Sequence, residues 1–369
     1  MNHIPPFKLQ KRRKSIVQIE PLIRERKPHH RLGYTRLKYS PFFLFLIQQS
    51  INQPTCFVMR NSEPKQKVLD RKLAFRVTDE PICYHVACAM ENNGRTNTTK
   101  YGVHVHCSQL LADNTFYFRI DKTSKTFIND MAPTNLADEL ATQVGSVLDR
   151  IVLKVTRTGE ILSIENFNAI AGRWSDLRKK IREQYASDYV ARLIQLADRS
   201  LASKETLLLR LSKNWFMSVY FNALYQNHNQ SFMLIRPVSF PILSRASPVY
   251  FEVKQTLEEH YTENNAIRLI LKGQPKDARS KADLENDLNE PYYGLDEALP
   301  PAEGSYRGLY ALDPVHHGIH LAYVECALDL SRKRKVTVMV TSQNETPYEL
   351  PTRKRKSPME IEDITSKGR

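Results

Sequence analysis

Apolar and polar residues alternate with a period of two from Tyr101 to Cys107. Tyr101, Val103, Val105 and Cys107 fall on one side, and Gly102, His104 and His106 on the other. Side chains along a strand point alternately to its two faces, so this segment reads as a strand with one apolar face. The apolar run Ile82 to Met90 before it reads as a buried strand. Glu91-Asn-Asn-Gly94 supplies turn chemistry between the two, and Thr115 to Ile120 follows beyond an Asp-Asn turn. Short polar links between three strands predict an antiparallel meander, because parallel neighbours need long crossovers.

After Pro133 the period becomes helical. Asn135 is placed to cap a helix whose stripe is Leu136, Leu140, Val144, Val147 and Leu148. Ile151, Leu153 and Val155 then alternate with polar neighbours, Arg157-Thr-Gly159 makes a turn, and Ile161 with Ile164 forms the return strand. Asn166 is a candidate cap for the next helix, in which Phe167, Ile170, Trp174, Leu177 and Ile181 recur at steps of three and four. A second stripe runs through Val190, Leu193, Ile194, Ala197 and Leu201. A third runs from Ser203 and Glu205 through Leu208, Leu211, Trp215 and Val219 toward Tyr225. Strands resume at Ser231–Arg236, Val249–Gln255 and Ala266–Leu271. Residues 273–305, charged and rich in Pro and Gly, read as a surface excursion with a short helix within Ala278–Asn289. Tyr306–Leu312, Ile319–Leu330 and Val336–Thr341 complete a second meander.

This order predicts an α+β fold, a large antiparallel sheet with a block of amphipathic helices, about 166–225, packed on one face. Such a sheet can be a closed layer or an open, curved half-barrel, and periodicity does not separate the two. The domain is expected to span residues 61–343, between a basic arm (1–60) that lacks a sustained period and reads as disordered or peripheral and a basic tail (344–369) that reads as disordered. Met59 is an alternative start, since patterned elements begin only after it.

Charge alters the picture less than its total suggests. The chain of 369 residues carries a net +14, of which residues 1–40 hold +9 and residues 350–369 hold +3, leaving +2 for residues 41–349. A nucleic-acid-binding face on the folded body is therefore not required. The five cysteines, Cys56, Cys83, Cys88, Cys107 and Cys326, show no C-x-x-C spacing and sit mostly in apolar runs, as reduced core residues do. No run approaches the roughly 18–20 apolar residues of a membrane span. Pro41 to Ile47, after the basic residues 1–40, imitates a signal peptide only poorly. A cytoplasmic location, or a nuclear one in a eukaryote, is expected.

No catalytic motif is present: G-x-S-x-G, G-x-x-x-x-G-K-[ST] and G-x-G-x-x-G are all missing, and neither a catalytic residue nor a cofactor is assigned. His104 and His106 share a strand face at a spacing that can chelate a metal, with His85 on an earlier strand. No third ligand has an assignable place, so half-exposed strand residues are the expected reading. His316, His317 and His320 form H-H-x-x-H across a turn, without the Glu of a zinc-protease helix. Lys11–Lys14, Arg332–Lys335 and Arg353–Lys356 are short basic clusters, the middle one a hairpin tip. The helix block is rich in amphipathic rings, and Trp174, Trp215, Tyr189, Tyr220 and Tyr225 are the candidate ligand or partner surface where they exceed the needs of core packing. The expected function is that of a non-catalytic intracellular binding or assembly protein, with a protein partner or self-association. The alternatives are a carrier or sensor holding an apolar molecule between a curved sheet and its helices, and a nucleic-acid-associated factor making non-specific contacts through its basic tails.

Overall fold

Asn93-Gly94 folds the first hairpin. Both residues have positive φ, 51° and 76°, the geometry of a two-residue turn that matches the twist of the strands it joins. In the computed structural model, which describes residues 71–292 and 300–343, that hairpin joins β1 (Ile82–Asn92) to β2 (Arg95–Leu110). β3 (Phe116–Lys122) and a short β4 (Phe127–Ile128) follow, then α1 (Leu136–Ser146), β5 (Arg150–Val155) and β6 (Ile161–Ile164). Four helices come next: α2 (Phe167–Gln184), α3 (Asp188–Ser200), α4 (Lys204–Leu211) and α5 (Trp215–Tyr220). β7 (Met233–Phe240), β8 (Val249–Leu257), β9 (Ile267–Pro275), α6 (Lys281–Glu285), β10 (Gly304–Leu312), β11 (Ile319–Leu328) and β12 (Arg334–Ser342) complete the chain.

The fold is α+β, as the patterning predicts. One open sheet runs in the order β6-β5-β3-β2-β1-β12-β11-β10-β9-β8-β7, with β4 paired to β2, and every pairing is antiparallel. It consists of two sequential meanders joined where β1 meets β12. Helices α2 to α5 therefore carry the chain from one sheet edge, β6, to the other, β7. Pro237 lies within β7, where the missing N–H is tolerated because the strand is an edge.

The sheet is strongly curled. The ring of Phe118 on β3 lies 5.4 Å from that of Phe221, while Arg236 on β7 donates from Nη2 to the carbonyl of Asn222 at 2.7 Å. Two consecutive residues thus touch strands eight positions apart in the sheet. Laid flat, those strands would be roughly 38 Å apart at the usual strand spacing. Of the two forms open to the sequence, the protein takes the open, curved one.

Several local expectations are revised. The third helix is two helices, because Asn214 interrupts it and caps α5 by accepting from the Met217 N–H at 3.1 Å. Asn166 makes no cap bond. Its side chain instead accepts from the Val152 N–H at 2.9 Å and donates to the Arg150 carbonyl at 3.1 Å, pinning β5 to the start of α2. Within residues 273–305 the surface excursion is partly buried: Leu284, Arg279 and Asp283 are all inaccessible. The basic arm of residues 1–60 and the tail of residues 344–369 lie outside the described residues, as do Met59 and Cys56. Cys83, Cys88, Cys107 and Cys326 are unpaired, and burial pushes the Cys88 and Cys107 thiols up to about 12, so both stay protonated near neutrality.

Candidate functional site

The concave face of the sheet is filled by the chain itself. α5 and the segment after it, residues 221–228, lie in the trough and meet the inward side chains of both meanders. Phe75 stacks within 3.6 Å of Tyr225 and edge-on to Phe118 at 4.8 Å, and Tyr84 meets Tyr220 edge-on at 5.4 Å. Gly159, at the tip of the β5–β6 turn with φ 103°, presses against this cluster. A Cβ there would stand 3.2 Å from the rings of Phe75 and Tyr225.

Polar groups in the trough are bonded to one another. Asn222 donates to the hydroxyls of Tyr306 at 2.8 Å and Tyr310 at 3.0 Å, and Tyr310 donates to the Val219 carbonyl at 3.1 Å. Arg236 donates from Nε to Gln255 at 2.8 Å and from Nη2 to Asn222. Gln255 in turn donates to the Leu224 carbonyl at 3.0 Å, and Tyr225 to the His317 carbonyl at 2.9 Å. Burial raises the Tyr306, Tyr220 and Tyr225 hydroxyls well above their ordinary range and Tyr310 to about 12, so none is poised to act as an acid or base near neutrality. The cluster reads as a structural plug.

His228 belongs to it as well. It is 3% exposed; its Nε2 faces the Gln255 amide N–H at 3.2 Å and its Nδ1 faces the Arg71 carbonyl at 3.3 Å. Those partners require the neutral ring with its proton on Nδ1. Burial lowers the His228 pKa below its ordinary 6.5, backbone hydrogen bonds oppose that, and Arg236 adds to the lowering. The unfolded chain therefore binds the proton first. Stability that rests on neutral His228 is fully present above pH ~6.5 and is lost as pH falls through that value toward the lower folded pKa. The expected result is a melting temperature that declines between pH 7 and 5 and declines less in His228→Gln; equal declines in both proteins would refute the assignment.

The candidate aromatic surface is not one site. Tyr220 and Tyr225 are buried in the plug, and Trp215 beside them donates its indole N–H to the Pro241 carbonyl at 2.9 Å. Trp174 belongs to a separate small core with Leu140, Val147, Ile181, Val190, Ile194 and Ala197, built by α1, α2 and α3. Leu148 and Leu201 touch both cores. Tyr189 differs from the others in being 51% exposed on α3, and Leu196, seven residues on and on the same helix face, is 56% exposed. Arg192 and Arg199 are also exposed on α3, adjoining this stripe.

The histidines disperse. His104 lies opposite Cys83 on β1 and Asp121 on β3, but Asp121 is engaged by Arg119 at 2.9 Å and Arg150 at 2.6 Å. His106 bonds the Thr78 carbonyl at 2.9 Å, and His85 lies beside Gln343. His317 is buried against the backbone of Ala74, and His320 faces Asp313 at 3.3 Å. Among the described residues no group of three or more His, Cys, Asp or Glu side chains is placed to hold a metal. In the Arg332–Lys335 tip, Lys335 pairs with Glu325 at 2.6 Å and Lys333 with Asp329 at 3.7 Å.

A feature that the sequence pattern does not announce lies at the sheet end where β1 finishes and β12 begins. Arg279, its side chain 3% exposed, grips Asp277 through Nε at 2.7 Å and Nη2 at 2.8 Å, and donates to the carbonyls of Ser247, Pro248 and Leu288. It thereby ties the loop after β7 to the turn after α6. Between that pair of loops and the ends of β1 and β12 lies a cavity of about 230 Å³, with Glu91, Arg245, Asp287 and Arg334 among its walls. These residues are far apart in the chain, so no local pattern could announce them. Among the described residues no helix is long and apolar enough to cross a membrane.

No family model matches the chain, and no curated protein does. A solved structure described as lipid–protein interactions in lipovitellin is 9% identical, with a TM-score of 0.41 over 73% of this chain and 25% of that one. The complex of MucB with MucA(peri) is 11% identical, with a TM-score of 0.10 over 71% of this chain and 88% of that one. This chain spans about a quarter of the lipovitellin chain, and neither likeness bears on what it binds.

Proposed function

We propose that this protein is a non-catalytic binding or assembly protein, and that it meets a protein partner or a second copy of itself through the outer face of α3. The observation that carries this reading is the pairing of a filled trough with an apolar stripe left outside. The plug absorbs Tyr220 and Tyr225 into the core, whereas Tyr189 and Leu196 remain exposed beside two arginines. Aromatic and arginine side chains are the ones most enriched where interfaces are tight.

The test compares the full chain with its Tyr189→Glu/Leu196→Glu variant by light scattering on a sizing column and by native mass spectrometry. The variant is expected to unfold within about 0.5 kcal/mol of the parent, since both side chains are surface residues, and to lose the oligomer or the retained partner. A parent that is monomeric and partnerless, or a variant that assembles unchanged, would overturn the reading. The curl of the sheet favours a second reading, a carrier whose plug yields to an apolar molecule. A bound lipid in the native mass spectrum, in place of a protein partner, would support that carrier over the α3 interface. The nucleic-acid reading concerns tails outside the described residues.

A further inference from the structure

Four charged side chains line the cavity at the sheet end, and none of them is answered by the protein. Glu91 is the last residue but one of β1, Arg334 opens β12 opposite Asn92, Arg245 lies in the loop after β7, and Asp287 lies in the turn after α6. Among the described residues, no hydrogen bond or ion pair engages any of these four side chains, although two are cationic and two anionic around one small space. Two of the four carry buried atoms without a hydrogen-bond partner, Asp287 Oδ1 and Arg334 Nε. A buried polar atom left unpaired is destabilising, more so when charged, so folded proteins seldom keep them without cause. Asp287 also holds φ at 53°, in the left-handed region that non-glycine residues enter sparingly. Arg279, through its grip on both loops, fixes the walls that bear Arg245 and Asp287.

From this we infer that the cavity is a binding site for a small zwitterion of the free α-amino-acid class. The two guanidinium groups take the carboxylate, the geometry for which arginine is best suited. Glu91 and Asp287 take the ammonium group. Met90 and Ile242, the apolar part of the lining, face an aliphatic side chain. The size agrees: at about 230 Å³ the space is below the ~300–1,000 Å³ of drug-sized pockets. It equals roughly eight water volumes. A plain anion would leave the two carboxylates unanswered, and a metal ion would leave the two arginines so. The site is independent of the α3 interface and adds a ligand to the proposed binding role.

The experiment titrates the full chain with L-leucine and L-methionine by calorimetry and follows the melting temperature in parallel. N-acetyl-leucine and leucine amide, each lacking one of the two charges, serve as blocked controls. Both free amino acids are expected to bind with Kd below about 1 mM and to raise the melting temperature. Each blocked control should bind at least about tenfold more weakly. Arg245→Gln, at an exposed position, and Asp287→Asn, which retains a residue tolerant of the left-handed backbone, should each weaken leucine binding about tenfold. Arg332→Gln, on the neighbouring hairpin tip and outside the lining, should leave it unchanged. Absence of heat with both amino acids, blocked controls that bind equally, or Arg245→Gln and Asp287→Asn that bind like the parent would each overturn the proposal.

Discussion

Replacing Arg279 by methionine is expected to lower the unfolding free energy by about 3–5 kcal/mol, the range for stripping one partner from a buried ion pair. Asp277, its side chain 4% exposed, would keep the Tyr250 N–H as a donor from outside its own turn and lose the two-pronged grip of the guanidinium. Burial pushes the Asp277 carboxyl up, but the bonds from Arg279 and from the backbone N–H groups of Tyr250 and Arg279 outweigh it and hold the carboxyl below its ordinary value. Three carbonyls, of Ser247, Pro248 and Leu288, would lose a charged donor at the same time. Lysine keeps the charge but lacks the planar fork, so Arg279→Lys should recover only part of the loss. The double variant Arg279→Met/Asp277→Leu removes the stranded charge as well and should be the more stable of the two methionine proteins. Urea unfolding reads all three through the midpoint at constant slope. A loss under 1 kcal/mol in Arg279→Met would mean that the two loops hold each other without this side chain.

Arg279 also shows why part of the molecule was hidden in the sequence. Its segment is charged and interrupted by Pro and Gly, which by composition marks an exposed loop. Nothing local reveals that the guanidinium turns inward onto carbonyls up to 32 residues away. Elements whose cause is local were legible: the Asn93-Gly94 turn, the alternation of β2, the stripe of α2, and the cap at Asn135. Asn166 bridges where the pattern predicts a cap, because capping and bridging use the same side-chain chemistry and the choice depends on where β5 runs.

Long-range closure was illegible. The pairing of β1 with β12, which makes one sheet of two meanders, joins Tyr84 to Ser342, and no short-range pattern encodes it. α5 is short, and Phe216, Met217, Val219 and Tyr220 bury nearly all of it, so it lacks the one-sided stripe by which helices are recognised. Its rings looked surplus to packing because the trough that receives them is formed by both meanders. Of the candidate surface, Tyr189 alone was recognisable as a residue left outside, since its place on α3 flanks the stripe of Val190, Leu193 and Ile194.

Replacing Trp174 by alanine is expected to cost about 3–5 kcal/mol, as truncation of a fully packed large ring does. The ring is 5% exposed, fills the core of α1, α2 and α3, and donates its indole N–H to Asp198 at 2.8 Å. Asp198 also accepts from Arg178 at 3.1 Å and keeps that partner after truncation, so the loss is mainly of packing. Trp174→Phe, which retains most of the packing and forfeits the hydrogen bond, should lose about 1 kcal/mol beyond its missing volume. Because this core is distinct from the one inside the sheet, and Ile170 anchors the start of α2 in the latter, the damage should be local. Hydrogen exchange on Trp174→Ala is expected to show lost protection in α1 and α3 while β8 to β11 keep theirs. Equal loss in the strands would make the helical layer part of one cooperative unit. Local loss would instead mean that this layer can loosen while the sheet persists, and that Trp174 supports the α3 face from beneath. Trp174→Ala should then abolish assembly through loss of the helix layer, whereas Tyr189→Glu/Leu196→Glu should abolish it with the layer intact.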